Sequence, residues 1–135
     1  MELKAHYLGE SKFEVVARGH RVTCDQPLEN GGKDEGMSPP EFLLASLATC
    51  AGYYATQYLK ARGVSAQELE VRVSAEKTLQ PVRLASFRIE VINPGLDEKQ
   101  EAGVLRAVKA CLIHNTLLGR PNIEVIISAG ILAQV

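Results

Sequence analysis

Cysteine is scarce in this chain: its 135 residues include three, Cys24, Cys50 and Cys111. An odd, small number excludes a disulfide framework of the kind that staples small secreted domains. An excess of one charge is lacking too. The 15 basic and 16 acidic residues leave a formal net charge of −1, so electrostatics gives no reason to expect nucleic acid or an anionic membrane as partner. No apolar run is long and uncharged enough to span a bilayer. The N-terminus, MELKAHYLGESKFEV, lacks the basic-then-apolar pattern of a signal peptide. The expected location is the cytoplasm, where thiols begin reduced and a disulfide is more often transient than structural. Repeats, a Gly-rich phosphate loop, a Ser nucleophile elbow and a zinc pattern are also missing. His6 and His20 have no metal-ligand spacing with the cysteines, so neither metal nor cofactor is expected.

What is present points to one domain over residues 1–135. Apolar residues make up 46% of the chain, enough for a sizeable core. Residues 1–25 read as two or three short strands. Phe13, Val15 and Ala17 alternate with polar neighbours, Arg18-Gly19-His20 forms a turn, and residues 20–24 return. Residues 26–37, QPLENGGKDEGM, are dense in turn formers and read as a loop. Residues 68–79 and 81–92 alternate as strands with one wet face. The second slips a phase near Leu84–Ser86, as at a bulge. Residues 97–118 read as one helix, with Asp97 and Glu98 in its first turn. Residues 122–128, NIEVIIS, read as a last strand.

Between the first strands and the rest stands a helix with strong start signals. Ser38 is its N-cap, Pro39 its first residue, and Glu41 completes a capping box. It should run to about Arg62 and stop at Gly63. Its first half, FLLASLATCA, is apolar or small on every face, the pattern of a buried helix. One sheet in a chain this small covers only one face of such a helix. The expected fold is therefore α+β, with an antiparallel sheet around a long buried helix and a homodimer covering what remains.

Cys50 lies near the middle of that helix, beyond the reach of the helix dipole. Taken alone, it reads first as an inert core thiol. Cys111 lies on the apolar side of the second helix, with His114, a potential base, one turn further on. If the two helices pack on each other, the two sulfurs can meet, and the pair then forms an attacking and a resolving thiol. Cys24 has no evident partner. Glu41 reads first as a cap.

The stretch Gly36 to Cys50, GMSPPEFLLASLATC, resembles the signature of the OsmC/Ohr family. The stretch ACLIHNTL, from Ala110 to Leu117, is similar to that family's second cysteine segment. The order of elements matches along nearly the whole chain. The resemblance implies an intertwined homodimer and a thiol peroxidase acting on organic hydroperoxides. In that reading Cys50 attacks the peroxide and becomes a sulfenic acid. Cys111 closes a disulfide with it, Glu41 assists, and an external dithiol, a lipoyl protein or thioredoxin, resets the pair. Three positions depart from the family pattern. Pro40 occupies the usual glutamate position and Glu41 is one residue off. The loop at 26–37 has Lys33 but no arginine, leaving Arg18, Arg21 or Lys33 to supply the activating cation. Leu112 stands where the family segment has proline, so the second helix is expected to run on unbroken. The competing reading is a non-catalytic homodimer that binds a small hydrophobic ligand or senses redox state.

Overall fold

A computed structural model describes residues 1–130; the last five positions of the expected domain lie outside the described residues. The first three strands, β1 (Lys4–Gly9), β2 (Lys12–Ala17) and β3 (His20–Cys24), form an antiparallel sheet in the order β1-β2-β3. The β2–β3 turn falls at Arg18 and Gly19, with φ of 50° and 83°, the mirror-image turn whose twist matches paired strands. A loop follows, with a short 3-10 turn at Leu28–Asn30. Helix α1 (Pro39–Ala61) comes next, then the hairpin of β4 (Glu70–Leu79) and β5 (Val82–Ile92). Its register shifts between Glu76 and Lys77: Glu76 faces Ser86 and Lys77 faces Leu84. Ala85 is therefore the extra residue of a bulge, where the sequence pattern slips phase.

Helix α1 starts as expected. Glu41 Oε1 accepts from the Ser38 amide at 3.0 Å and from Ser38 Oγ at 2.8 Å. The helix ends at Ala61, with Gly63 at φ 69°. Its buried residues are Leu47, Ala51, Ala55 and Leu59, every fourth position and so a single stripe. Ala51, Ala55 and Leu59 of that stripe form a core cluster with Val104 and Val108. Small residues set the approach: a side chain at Gly103 would collide with the Tyr58 ring.

Four expectations change. The sheet is not one but two: β1–β3 and β4–β5 are separate among the described residues. Helix α1 is not buried all round in the single chain, and Tyr53 is 61% exposed. The second helix does break. Helix α2 (Glu98–Lys109) stops at Ala110, and α3 (Leu112–Leu118) starts after Cys111, whose ψ of 133° is extended. The backbone turns there without a proline, and Cys111 at the turn is fully buried. Finally, residues 122–128 form no strand. A strand needs a neighbour to accept its hydrogen bonds, and none of the described edges is paired with this segment.

Candidate functional site

Helix α1 carries Cys50, half-buried, and the α2–α3 break carries Cys111, fully buried. The fold brings them together: the Cys50 side chain is a direct neighbour that perturbs the Cys111 thiol. Both remain free thiols. Burial pushes the Cys111 pKa up, and the contact with Cys50 adds to this. The backbone amides of His114 and Ile113, at the start of α3, act in the opposite sense. Desolvation wins, because a thiolate loses more hydration in the interior than two amides return. Cys111 is thus held protonated at neutral pH, while the more accessible Cys50 is the sulfur that a reagent can reach.

An apolar cavity of about 730 Å³ opens beside the pair. Its walls come from α1 (Leu43, Leu47), β5 (Leu84, Phe87), α2 (Leu105, Val108) and α3 (Leu117, Leu118). Neither cysteine lines it. Leu47 precedes Cys50 by three residues, and Val108 and His114 flank Cys111 at the same spacing, so both cysteines neighbour its lining along the chain. His114 also lines the cavity, and its Nδ1 is buried without a hydrogen-bond partner among the described residues. An unpaired buried nitrogen of this kind costs roughly 1–3 kcal/mol.

The other residues singled out from sequence lie apart. Glu41 is exposed and held by Ser38, and the backbone amide and hydroxyl of Ser38 lower its pKa. It lies nine residues before Cys50, roughly 180° around the helix and about 13 Å along it, so within one chain it does not reach the thiols. Arg21 is engaged with Glu14 at 2.6 Å, and Lys33 with Glu10 at 3.2 Å. Arg18 sits in the β2–β3 turn. None of the three is among the groups that perturb Cys111. Cys24 ends β3; burial, then the Asp25 carboxylate, raise its pKa, and no thiol adjoins it. Asp25 is 1% exposed. It accepts from Ser11 Oγ at 2.6 Å and from the amides of Gln26, Lys33 and Glu35. The Ser11 bond, ahead of the amides, draws its pKa down to about 2. That carboxylate ties the loop at 26–37 to the β1–β2 turn. No cluster able to hold a metal ion occurs among the described residues.

Arg83 and Lys109, on the cavity lining, escaped the sequence reading. The signal was there for Arg83, because a bulge re-aims the side chains beside it. Lys109 carried none beyond lying two residues before Cys111.

The family model described as OsmC-like protein matches residues 32–126. No curated protein sequence matches the chain. Solved structures do. The OsmC like protein from Mycoplasma pneumoniae is 22% identical over 87% of this chain and 86% of its own, with a TM-score of 0.75. An organic hydroperoxide resistance protein OsmC from Legionella pneumophila is 20% identical, covers 87% and 88%, and gives 0.62. An organic hydroperoxide resistance protein from Elizabethkingia anophelis is 19% identical, covers 87% and 86%, and gives 0.61. At these identities the likeness is one of fold.

Proposed function

This chain belongs to the OsmC-like protein family, and from that premise we propose that it is a thiol peroxidase for organic hydroperoxides. The observation that carries the reading is the contact between Cys50 and Cys111 beside an apolar cavity. Burial decides the roles. Cys111 is fully buried and its pKa is raised, so it is poorly suited to attack first. Cys50 is half-buried and takes the peroxide.

The Cys50 thiolate attacks the terminal peroxide oxygen. The O–O bond breaks, the alcohol leaves with a proton, and Cys50 becomes a sulfenic acid. Cys111 then attacks that sulfur, the S–O bond breaks, and water leaves as the disulfide forms. An external dithiol, such as a lipoyl protein or thioredoxin, exchanges with this disulfide and returns both thiols. The apolar cavity receives the organic part of the peroxide. Two solved relatives in fold carry the name organic hydroperoxide resistance protein, which supports this substrate class. Glu41 joins the site only if a second copy brings its helix end alongside.

The test is a thiol count after one equivalent of cumene hydroperoxide. Two thiols per chain should disappear within seconds, and Cys50→Ser should slow peroxide consumption by at least about 10³-fold. Cys111→Ser should leave a sulfenic acid that dimedone traps. Unchanged thiols after cumene hydroperoxide reject the peroxidase.

The same reading includes a homodimer. Ile123, Val125, Ile126 and Ile127 are each more than 70% exposed in the single chain, as are Leu28 and Leu118. That much uncovered apolar surface is unusual for a monomer, and a strand-forming segment without a partner invites pairing with another copy. Light scattering should give twice the 14.7 kDa chain mass; a monomer at micromolar concentration rules the dimer out. A second reading, binding of a hydrophobic ligand without turnover, is favoured by one observation: neither sulfur lines the cavity.

A further inference from the structure

His114 joins the cavity to the thiols. It lines the cavity, and its backbone amide is one of the groups that perturb the Cys111 sulfur. No other lining residue does both among the described residues. Of the four polar side chains on the lining, Arg83, Ser86 and Lys109 are exposed and can hydrate, whereas His114 is partly buried. Its Nδ1 is shut off from solvent and makes no hydrogen bond within the described residues. Buried polar atoms in folded proteins are regularly paired, so an unpaired one beside a cavity points to a partner that arrives from outside. The other side chains considered for holding a peroxide are engaged elsewhere: Glu41 with Ser38, Arg21 with Glu14 and Lys33 with Glu10.

We propose that His114 is the substrate-positioning residue of this site: its Nδ1 hydrogen-bonds the peroxide group of a bound hydroperoxide and holds it on the side of the cavity nearest Cys111. In a neutral imidazole one ring nitrogen donates and the other accepts. The O–OH group does both, so either tautomer of His114 finds a partner in it. The ring does no redox chemistry; electrons still pass from the Cys50 sulfur to the peroxide oxygen. Binding thereby satisfies an atom that the protein alone leaves unpaired, which an apolar molecule of the same shape cannot do. The proposal rests on the peroxidase reading for its substrate and adds the residue that recognises it.

The test is ring-nitrogen NMR of the histidines in the full-length Cys50→Ser protein, where binding is separate from turnover. The chain has three histidines, and His6 and His20, exposed on β1 and β3, serve as internal references. Cumyl alcohol, which carries a hydroxyl, should move the His114 Nδ1 resonance saturably. Cumene, the same body without oxygen, should leave it in place, and His6 and His20 should respond to neither. With both thiols present, His114→Phe should raise the KM for cumene hydroperoxide about fivefold, as for the loss of one hydrogen bond, while alkylation of Cys50 by iodoacetamide keeps its rate. His114→Gln, which retains a hydrogen-bonding side chain, should recover most of that loss. An Nδ1 resonance that ignores cumyl alcohol overturns the proposal. So does an equal response to cumene, or a KM that His114→Phe leaves unchanged. Failure of the peroxidase reading looks different: unreacted thiols after cumene hydroperoxide reject that reading, whereas a parent protein that turns over with a silent His114 rejects only this one.

Discussion

Two regions of this molecule each hold a cysteine whose pKa is raised by burial, and they use it differently. Cys24 ends the three-stranded sheet, and its neighbour is a carboxylate, Asp25. Cys111 sits where two helices part, and its neighbour is another thiol. Desolvation alone therefore does not mark a reactive cysteine. What the second sulfur touches decides whether raising the pKa merely silences a thiol or reserves it for a later step. The supporting structure differs in the same way. Helices α1 and α2, which lead to the two thiols, share an apolar core of Ala51, Ala55, Leu59, Val104 and Val108. The Cys24 region is organised by one buried carboxylate and its four donors, while Tyr7, Leu8 and Val22 remain exposed.

The largest effect should come from the dry core. Leu59 is fully buried, whereas Leu28 is 72% exposed in the Asp25 loop. Leu59→Ala should cost about 2–5 kcal/mol in urea unfolding, and Leu28→Ala under about 0.5 kcal/mol. Equal costs would break the contrast between the two regions.

A smaller effect sharpens the contrast through pH. The Asp25 carboxyl titrates at about 2 in the folded chain, below the roughly 3.9 of an unfolded aspartate. Its contribution to stability is therefore complete above about pH 4 and is lost as pH falls toward 2. Asp25→Asn should lower the melting temperature at neutral pH by several degrees and flatten the loss of stability between pH 4 and 2. A variant whose melting temperature falls with acid as steeply as the parent's would show that other carboxylates control that window. The helical core, whose buried residues are apolar, should contribute no slope there.

Much of the secondary structure was legible because its causes are local. The turn at Arg18-Gly19, the capping box of Ser38 and Glu41, the stop at Gly63 and the bulge at Ala85 each depend on residues within a few positions of one another. The misses share the opposite cause. Nothing in ACLIHNTL breaks a helix by propensity, yet the chain turns at Cys111, whose side chain is fully buried there. NIEVIIS has strand propensity, yet a strand exists only beside another strand. The cysteine pair was expected at the site, but the cavity cations were not: Arg83 and Lys109 come from separate segments, β5 and α2, that line one cavity only in the folded chain.

From the sequence alone came the helix that carries Cys50, its boundaries, and the family to which the motif GMSPPEFLLASLATC points, because side-chain periodicity and capping act over a few residues. Only the tertiary structure decided that Cys111 meets Cys50 and that α1, β5, α2 and α3 together wall an apolar cavity. Those facts depend on packing between distant segments, Cys50 and Cys111 being 61 residues apart, which no local pattern encodes.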